Sequence, residues 1–250
     1  LWLVFILGAS LAGFVQGLTG FAFALIAMSC WVWILPPQLS APLVVFASLW
    51  CHLISLSKEQ KYHFGYHLVL PYLVAGLIGV PLGTCLLKVV NADIFKLILG
   101  VFLILWCPVM YFAANFSVKF SVLESAGKKA DAWVGFMGGI LGGLGGFCGA
   151  LPSAWVMLKN LPKDQQRYIL RHFNFAIQLF TLLVYLWQGT IDQSHLGYMG
   201  VLILTVSLPA IWGAQLFYTL SERKFKQIVL SLLFASGCIL SLTSISRCIS

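Results

Sequence analysis

A chain of 250 residues that is 60% hydrophobic and only 9% charged is not an ordinary soluble domain, for which about 45–50% apolar and about 25% charged residues are usual. The formal net charge of +8 would suggest nucleic acid in a soluble protein. Here the basic residues flank long apolar runs, so the partner is the lipid bilayer with its headgroups, and nucleic acid is excluded.

Stretches free of Asp, Glu, Lys and Arg cover 1–57, 62–87, 97–118, 132–158, 172–191, 193–221 and 227–246. Each is long enough for a helical crossing of about 20 residues, and the first for two. None alternates as the strands of an outer-membrane barrel do, and a bilayer core without water favours helices. The expected fold is all-α: a polytopic membrane protein of about eight transmembrane helices at about 1–34, 41–57, 67–88, 94–114, 133–158, 169–188, 196–220 and 224–246. The first run has no basic segment ahead of it and no small-residue cleavage site behind it. It is read as a first membrane helix and not as a secretory signal. The seven cysteines include no C-x-x-C pair and six lie in apolar segments, so they read as small buried hydrophobes, with neither a disulfide framework nor a metal site.

The connection 115–132 carries Lys119, Glu124, Lys128, Lys129 and Asp131. It divides the chain into a first transmembrane repeat, 1–114, and a second, 133–250. At an offset of 126, Gly13, Gly17, Leu18, Gly20, Phe21, Leu35 and Pro36 meet Gly139, Gly143, Leu144, Gly146, Phe147, Leu161 and Pro162 without a gap. Further on the offset becomes 130, and Gly83, Phe95 and Lys96 meet Gly213, Phe225 and Lys226. The expectation is two four-helix repeats, a recurring build of secondary transporters. Loop lysines and arginines place 159–171 and 221–226 on the cytoplasmic side.

Two Gly-rich stretches occupy matching positions, 13–21 and 138–149. Glycine is costly inside a helix, so each stretch predicts a broken or re-entrant helix. A span of about 34 residues would also be about 50 Å long, against about 30 Å of hydrocarbon. A break frees backbone N–H groups at a half-helix N-terminus, which attract anions, and paired interrupted segments point to a transporter's binding site. The competing role of these glycines is close packing, since Gly13/Gly17, Gly135/Gly139, Gly139/Gly143 and Gly142/Gly146 all fit G-x-x-x-G.

Ser48 and His52 lie four apart on one helix face, and the same offset carries them onto Asn174 and Gln178. All seven carboxylates fall in predicted loops or at span ends. That disfavours a cation substrate or a carboxylate proton relay, and leaves amides, hydroxyls, backbone N–H groups and His52, the one ionisable group placed well inside a span. With an ordinary pKa near about 6.5, His52 would bind an anion or carry a proton. Arg167, Arg171 and His172 stand at the mouth of the sixth span, where they would draw an anion in or anchor the helix. Metalloprotease, nucleophile-elbow and P-loop motifs are absent from the sequence, so an enzyme is not expected.

Through Gly13–Phe21 with Leu35-Pro36-Pro37, the echo Gly139–Phe147 with Leu161-Pro162, and the four-plus-four layout, the sequence resembles the sulfite exporter TauE/SafE family of membrane transporters over nearly its whole length. Thr19 and Ala22 stand where that pattern carries more glycine. The resemblance implies movement of a small organic or sulfur-containing anion, such as sulfite, thiosulfate or a sulfonate, across the bacterial cytoplasmic (inner) membrane. The expected function is a secondary transporter working by alternating access, with no cofactor and no metal. The expected site is built from Gln16, Thr19, Gly20, Ser48, His52, Gly145, Gly146, Asn174 and Gln178. A passive anion channel and a non-transport membrane protein are the alternatives. The choice of anion, import or export, the coupling ion and a homo-oligomeric state stay open.

Overall fold

The computed structural model describes residues 2–56, 65–91, most positions of 94–108, 127–159, 161 and 163–216. The expected span at 224–246, and the echoes Phe225 and Lys226, lie outside them. Among the described residues all regular structure is helical. The helices are α1 (Trp2–Thr19), α2 (Phe23–Trp31), α3 (Pro37–Leu56), α4 (Leu70–Val89), α5 (Gly127–Gly145), α6 (Ala150–Leu158), α7 (Lys163–Trp187) and α8 (Gln193–Leu216). The described positions of 94–108 are helical too. By length and composition five of these segments can cross a membrane: α1, Pro37–Ser55, α4, Tyr168–Trp187 and α8. The outer face of α4 carries Val74, Ile78, Leu82 and Leu86 exposed at a spacing of four, an apolar stripe that suits lipid and not water.

The first Gly-rich stretch is a reversal. α1 ends at Thr19, Gly20 takes a left-handed φ of +80°, and α2 folds back along α1. The Phe5 ring stacks on Trp31 at 4.6 Å, Trp31 Nε1 donates to the Phe5 carbonyl at 3.2 Å, and Gly8 faces the Cys30 Cβ. The second stretch repeats this. Gly146 has a φ of +79°, Gly142 faces Cys148, Gly138 faces Pro152, and Trp155 and Lys159 reach back to Asp131. The expected segments 1–34 and 133–158 are each therefore one full-length helix and one short antiparallel helix, not a single broken crossing. The physical reason is the left-handed residue: a Gly at the helix C-terminus turns the chain back instead of carrying it onward.

Glycine also sets the helix pairing. A Cβ on Gly13 would lie 3.1 Å from the Val206 carbonyl oxygen, and one on Gly17 2.2 Å from that of Ala210. On the other pair, a Cβ on Gly139 would lie 2.0 Å from the Gly76 oxygen and one on Gly143 2.4 Å from that of Val80. At Gly17, Gly139 and Gly143 only hydrogen fits, and at Gly13 a methyl would be tight; this is how helices approach closely where no hydrophobic effect drives them together. The contact positions rise together along both pairs, so α1 runs parallel to α8 and α5 runs parallel to α4. Gln38, at the start of α3, donates to the Leu87 and Val90 carbonyls at the end of α4, so α3 and α4 are antiparallel. α3 starts beside the end of α2 that lies against Phe5, and its His52 reaches Gln16 near the end of α1, so it follows α1. It follows that α5 runs opposite to α1.

α5 begins at Gly127, inside the expected connecting loop 115–132. Asp131 is consequently buried on a helix and not exposed in a loop. Its carboxylate accepts from the Tyr72 hydroxyl at 2.5 Å, Trp155 Nε1 at 2.7 Å and Lys159 Nζ at 2.9 Å, which ties α4, α5 and α6 together at one end. Asp192, expected between spans, caps α8 by accepting from the Ser194 N–H at 2.9 Å. The Ser194 hydroxyl and then His195 hold its carboxyl down at about 2.

Gly139→Leu is expected to abolish recovery of a monodisperse protein in detergent, because its Cβ would collide with a carbonyl oxygen. Gly197→Ala, with nothing within 4 Å, is expected to leave recovery unchanged. Asp131→Ala should cost about 1–3 kcal/mol of stability, because the Tyr72 hydroxyl, Trp155 Nε1 and the half-buried Lys159 ammonium lose their shared acceptor; chemical denaturation in detergent micelles measures it.

Candidate functional site

The two reversals meet over α3 and α7. In the first, the Gly20 N–H still closes α1 on the Gln16 carbonyl at 2.7 Å. The N–H groups freed beyond it are met by side chains: those of Phe21 and Ala22 lie 3.4 and 3.3 Å from the Thr19 hydroxyl, and that of Phe23 donates to Gln16 Oε1 at 2.9 Å. The other end of the Gln16 amide lies 3.0 Å from His52 Nε2, so Gln16 couples the start of α2 to the C-terminal part of α3. In the second reversal, glycines stand where these polar residues would be: Gly142 for Gln16 and Gly145 for Thr19. There the Gly146 N–H bonds the Gly142 carbonyl, and that of Phe147 the Leu141 carbonyl.

Between the reversals, Ser48, His52, Asn174 and Gln178 are all buried. Gln178 Nε2 donates to the Ser48 hydroxyl at 2.8 Å, joining α7 to α3. Asn174 sits where the two breaks cross. Its Nδ2 lies 3.5 Å from the Gly20 carbonyl, and its amide presses on Gly149, where a Cβ would lie 2.7 Å from Nδ2. The Asn174 Oδ1 and Gln178 Oε1 atoms are buried without a hydrogen-bond partner. Buried polar atoms in this condition are rare and ask for a reason.

Five of the nine expected site residues thus converge: Gln16, Ser48, His52, Asn174 and Gln178. The other four have different roles from those expected. The Thr19 hydroxyl donates to the Val15 carbonyl and caps its own turn. The Gly20 and Gly146 N–H groups end their own helices and do not offer free donors. Gly145 faces the Phe147 ring and the Met28 methyl. One residue belongs with the cluster that the sequence reading left outside it. The Cys148 thiol, read as a plain hydrophobe, lies against the Gln178 amide. Arg171, read as standing at a span mouth, is buried.

The two breaks differ in exposure. Gly20 is exposed, with nothing within 4 Å of a Cβ placed on it, whereas Gly146 is buried beneath Val44, Val45 and Ala24. Gly20→Ala should therefore cost only the left-handed backbone term, about 1 kcal/mol. Gly146→Ala should cost at least about 1 kcal/mol more, since its Cβ would meet Val44 Cγ1 at 2.9 Å in a packed interior. Thermal unfolding of the two variants in one detergent ranks them.

No curated protein and no solved structure matches the chain. The model of one protein family, described as "Sulfite exporter TauE/SafE", matches residues 5–240, essentially the whole chain. The glycine reversals, the apolar helices and this match agree: the chain belongs to the sulfite exporter TauE/SafE family of membrane transporters.

Proposed function

We propose that this multi-pass membrane protein is a secondary transporter that moves a small, sulfur-containing anion, such as sulfite, thiosulfate or a sulfonate, across the bacterial cytoplasmic membrane by alternating access. Membership of the family supports the substrate class. The observation that carries the mechanism is the unequal environment of two equivalent reversals. Their glycines share one backbone geometry and flank one polar cluster, yet one is open and the other covered.

An internal duplication underlies this reading. The offsets of 126 and 130 convert the contact of Gly13 with Val206 into that of Gly139 with Gly76, Gly17 with Ala210 into Gly143 with Val80, and Gly213 with Phe14 into Gly83 with Ile140. Equivalent helices run in opposite directions, as in the inverted repeats whose rocking exposes a midplane site to each side in turn. A molecule of this kind has two arrangements of similar energy, in which the open and the covered reversal exchange places. The substrate sits between the reversals, against Gln16, Ser48, His52, Asn174 and Gln178. Its partners are hydroxyl and amide groups and an imidazole, held in a low dielectric where each hydrogen bond counts for more.

In proteoliposomes, uptake of labelled sulfite, thiosulfate or methanesulfonate should saturate and show counter-transport. Non-saturable flux would mean a channel, and flux of none of them would remove the sulfur-anion reading. His52→Ala and Asn174→Ala should each lower uptake at least about tenfold, the effect of losing one hydrogen bond of about 1.5 kcal/mol in a buried site, with the protein still monodisperse. Undiminished uptake in both would displace the site.

A further inference from the structure

One backbone group sets the polarity of the hydrogen bonds in the first reversal. The Phe23 N–H can only donate, so the Gln16 atom 2.9 Å from it is the amide oxygen. The other end of that amide is therefore NH2, a donor, and it lies 3.0 Å from His52 Nε2. His52 Nε2 must accept, which puts the ring proton on Nδ1 and makes the imidazole neutral. Both side chains are buried, Gln16 at 2% and His52 at 3% exposed.

A second proton on His52 would take the Nε2 lone pair, the one that Gln16 uses. Two N–H groups would then face each other. Turning the Gln16 amide over would mend that contact and set its NH2 against the Phe23 N–H instead. No orientation of Gln16 serves a protonated His52 and Phe23 together, so protonation parts α3 from the start of α2. The ring also borders the polar cluster, since Ser48, one turn earlier on the same face of α3, takes the Gln178 N–H.

The charged group that acts on His52 from a neighbouring helix is Arg171 of α7, through space. The other helices against α3 keep their titratable groups at a distance. α1 has none, Cys30 lies at the far end of α2 against Gly8, Lys88 is in the last turn of α4 where α3 begins, Asp131 is paired with Lys159 at the opposite end of α5 from Gly146, and His195 is held by Asp192 at the start of α8.

Resting on the transport reading above, we propose that the coupling ion is a proton, bound at His52 Nε2 together with the anion, and that Gln16 is the latch tying its binding to movement of α2. A negative group beside the imidazolium offsets its charge, so by linkage each ligand raises the affinity for the other. With neither bound, Gln16 joins His52 to Phe23 and holds this arrangement. With both bound, the latch is open and the other arrangement gains. The only bond made and broken is N–H at Nε2, so the proton taken up on one side is given up on the other with the anion.

The test uses thiosulfate and methanesulfonate, which are fully ionised near neutral pH, so a proton that crosses with them is carried by the protein. Proteoliposomes hold the pH dye pyranine, and potassium with valinomycin clamps the potential. Inward uptake of the labelled anion should acidify the lumen. His52→Gln keeps an acceptor for Gln16 and titrates at no working pH, so it should abolish that acidification. Uptake by wild type without acidification overturns the proposal and leaves the transport reading standing; undiminished acidification in His52→Gln also overturns it. Hydrogen exchange of the peptide containing Phe23 is measured beside this, with saturating thiosulfate and corrected for intrinsic rates. Protection should fall at least about tenfold between about pH 8 and about pH 5 in wild type, the effect of losing one hydrogen bond, and stay level in His52→Gln. Level protection in wild type overturns the latch. Should His52→Gln not fold, Gln16→Leu replaces it and should leave Phe23 equally unprotected at both pH values; a pH dependence like that of wild type overturns the proposal. If wild type takes up neither anion the transport reading fails, and the exchange profile decides separately whether His52 takes a proton and releases Phe23.

Discussion

The closeness of two pairs of helices is the constraint on which the rest of this molecule depends. α1 meets α8, and α5 meets α4, at distances where a Cβ would lie on a neighbouring carbonyl oxygen. In a bilayer, lipid tails are as apolar as side chains, so van der Waals contact between bare backbones does the work that burial does in water. These seams hold the full-length arms of the two hairpins in place. The short arms then reach the interior at a set depth, and with them the two left-handed glycines. Gly13, Gly17, Gly139 and Gly143 serve packing, whereas Gly20 and Gly146 serve reversal, so one short stretch of sequence carries both roles at separate positions.

The reversals create the site because they break hydrogen-bond ladders where water is scarce. Each freed group needs a protein partner or a ligand. The first reversal answers with Thr19 and Gln16, and Gln16 passes the connection on to His52. The second answers with glycine, which brings the backbone at Gly149 hard against Asn174. The two reversals thus differ in chemistry: the first meets its freed N–H groups with polar side chains, and the second with backbone carbonyls.

Much of this was legible in the residues because it rests on local rules. A 60% hydrophobic chain has to live in lipid. Gly20 and Gly146 announced breaks because a helix tolerates glycine poorly, and Ser48, His52, Asn174 and Gln178 stood out because polar side chains are conspicuous in apolar runs. The direction taken after each break was not legible. A bent crossing and a doubled-back hairpin have the same composition, and the choice depends on Phe5 finding Trp31, and Asp131 finding Lys159 and Trp155. Asp131 looked like a loop residue because its three hydrogen-bonding partners are distant in sequence or one hairpin away. Arg171 read as a residue that draws an anion in or anchors its helix, because its neighbours in sequence, Arg167 and His172, are ordinary residues for a helix mouth.

By itself, the sequence determined the solvent this protein inhabits, the helical class, the two points where helices must break, and the polar side chains available to a ligand. Each follows from the free energy of one residue or one helical turn in hydrocarbon. Only the tertiary structure decided that the breaks are reversals, that α5 runs opposite to α1, and that Thr19 and Gly145 stand aside from the polar cluster. Those outcomes depend on contacts between residues far apart in the chain, where the distance from one backbone to another, not the preference of any single residue, sets the energy.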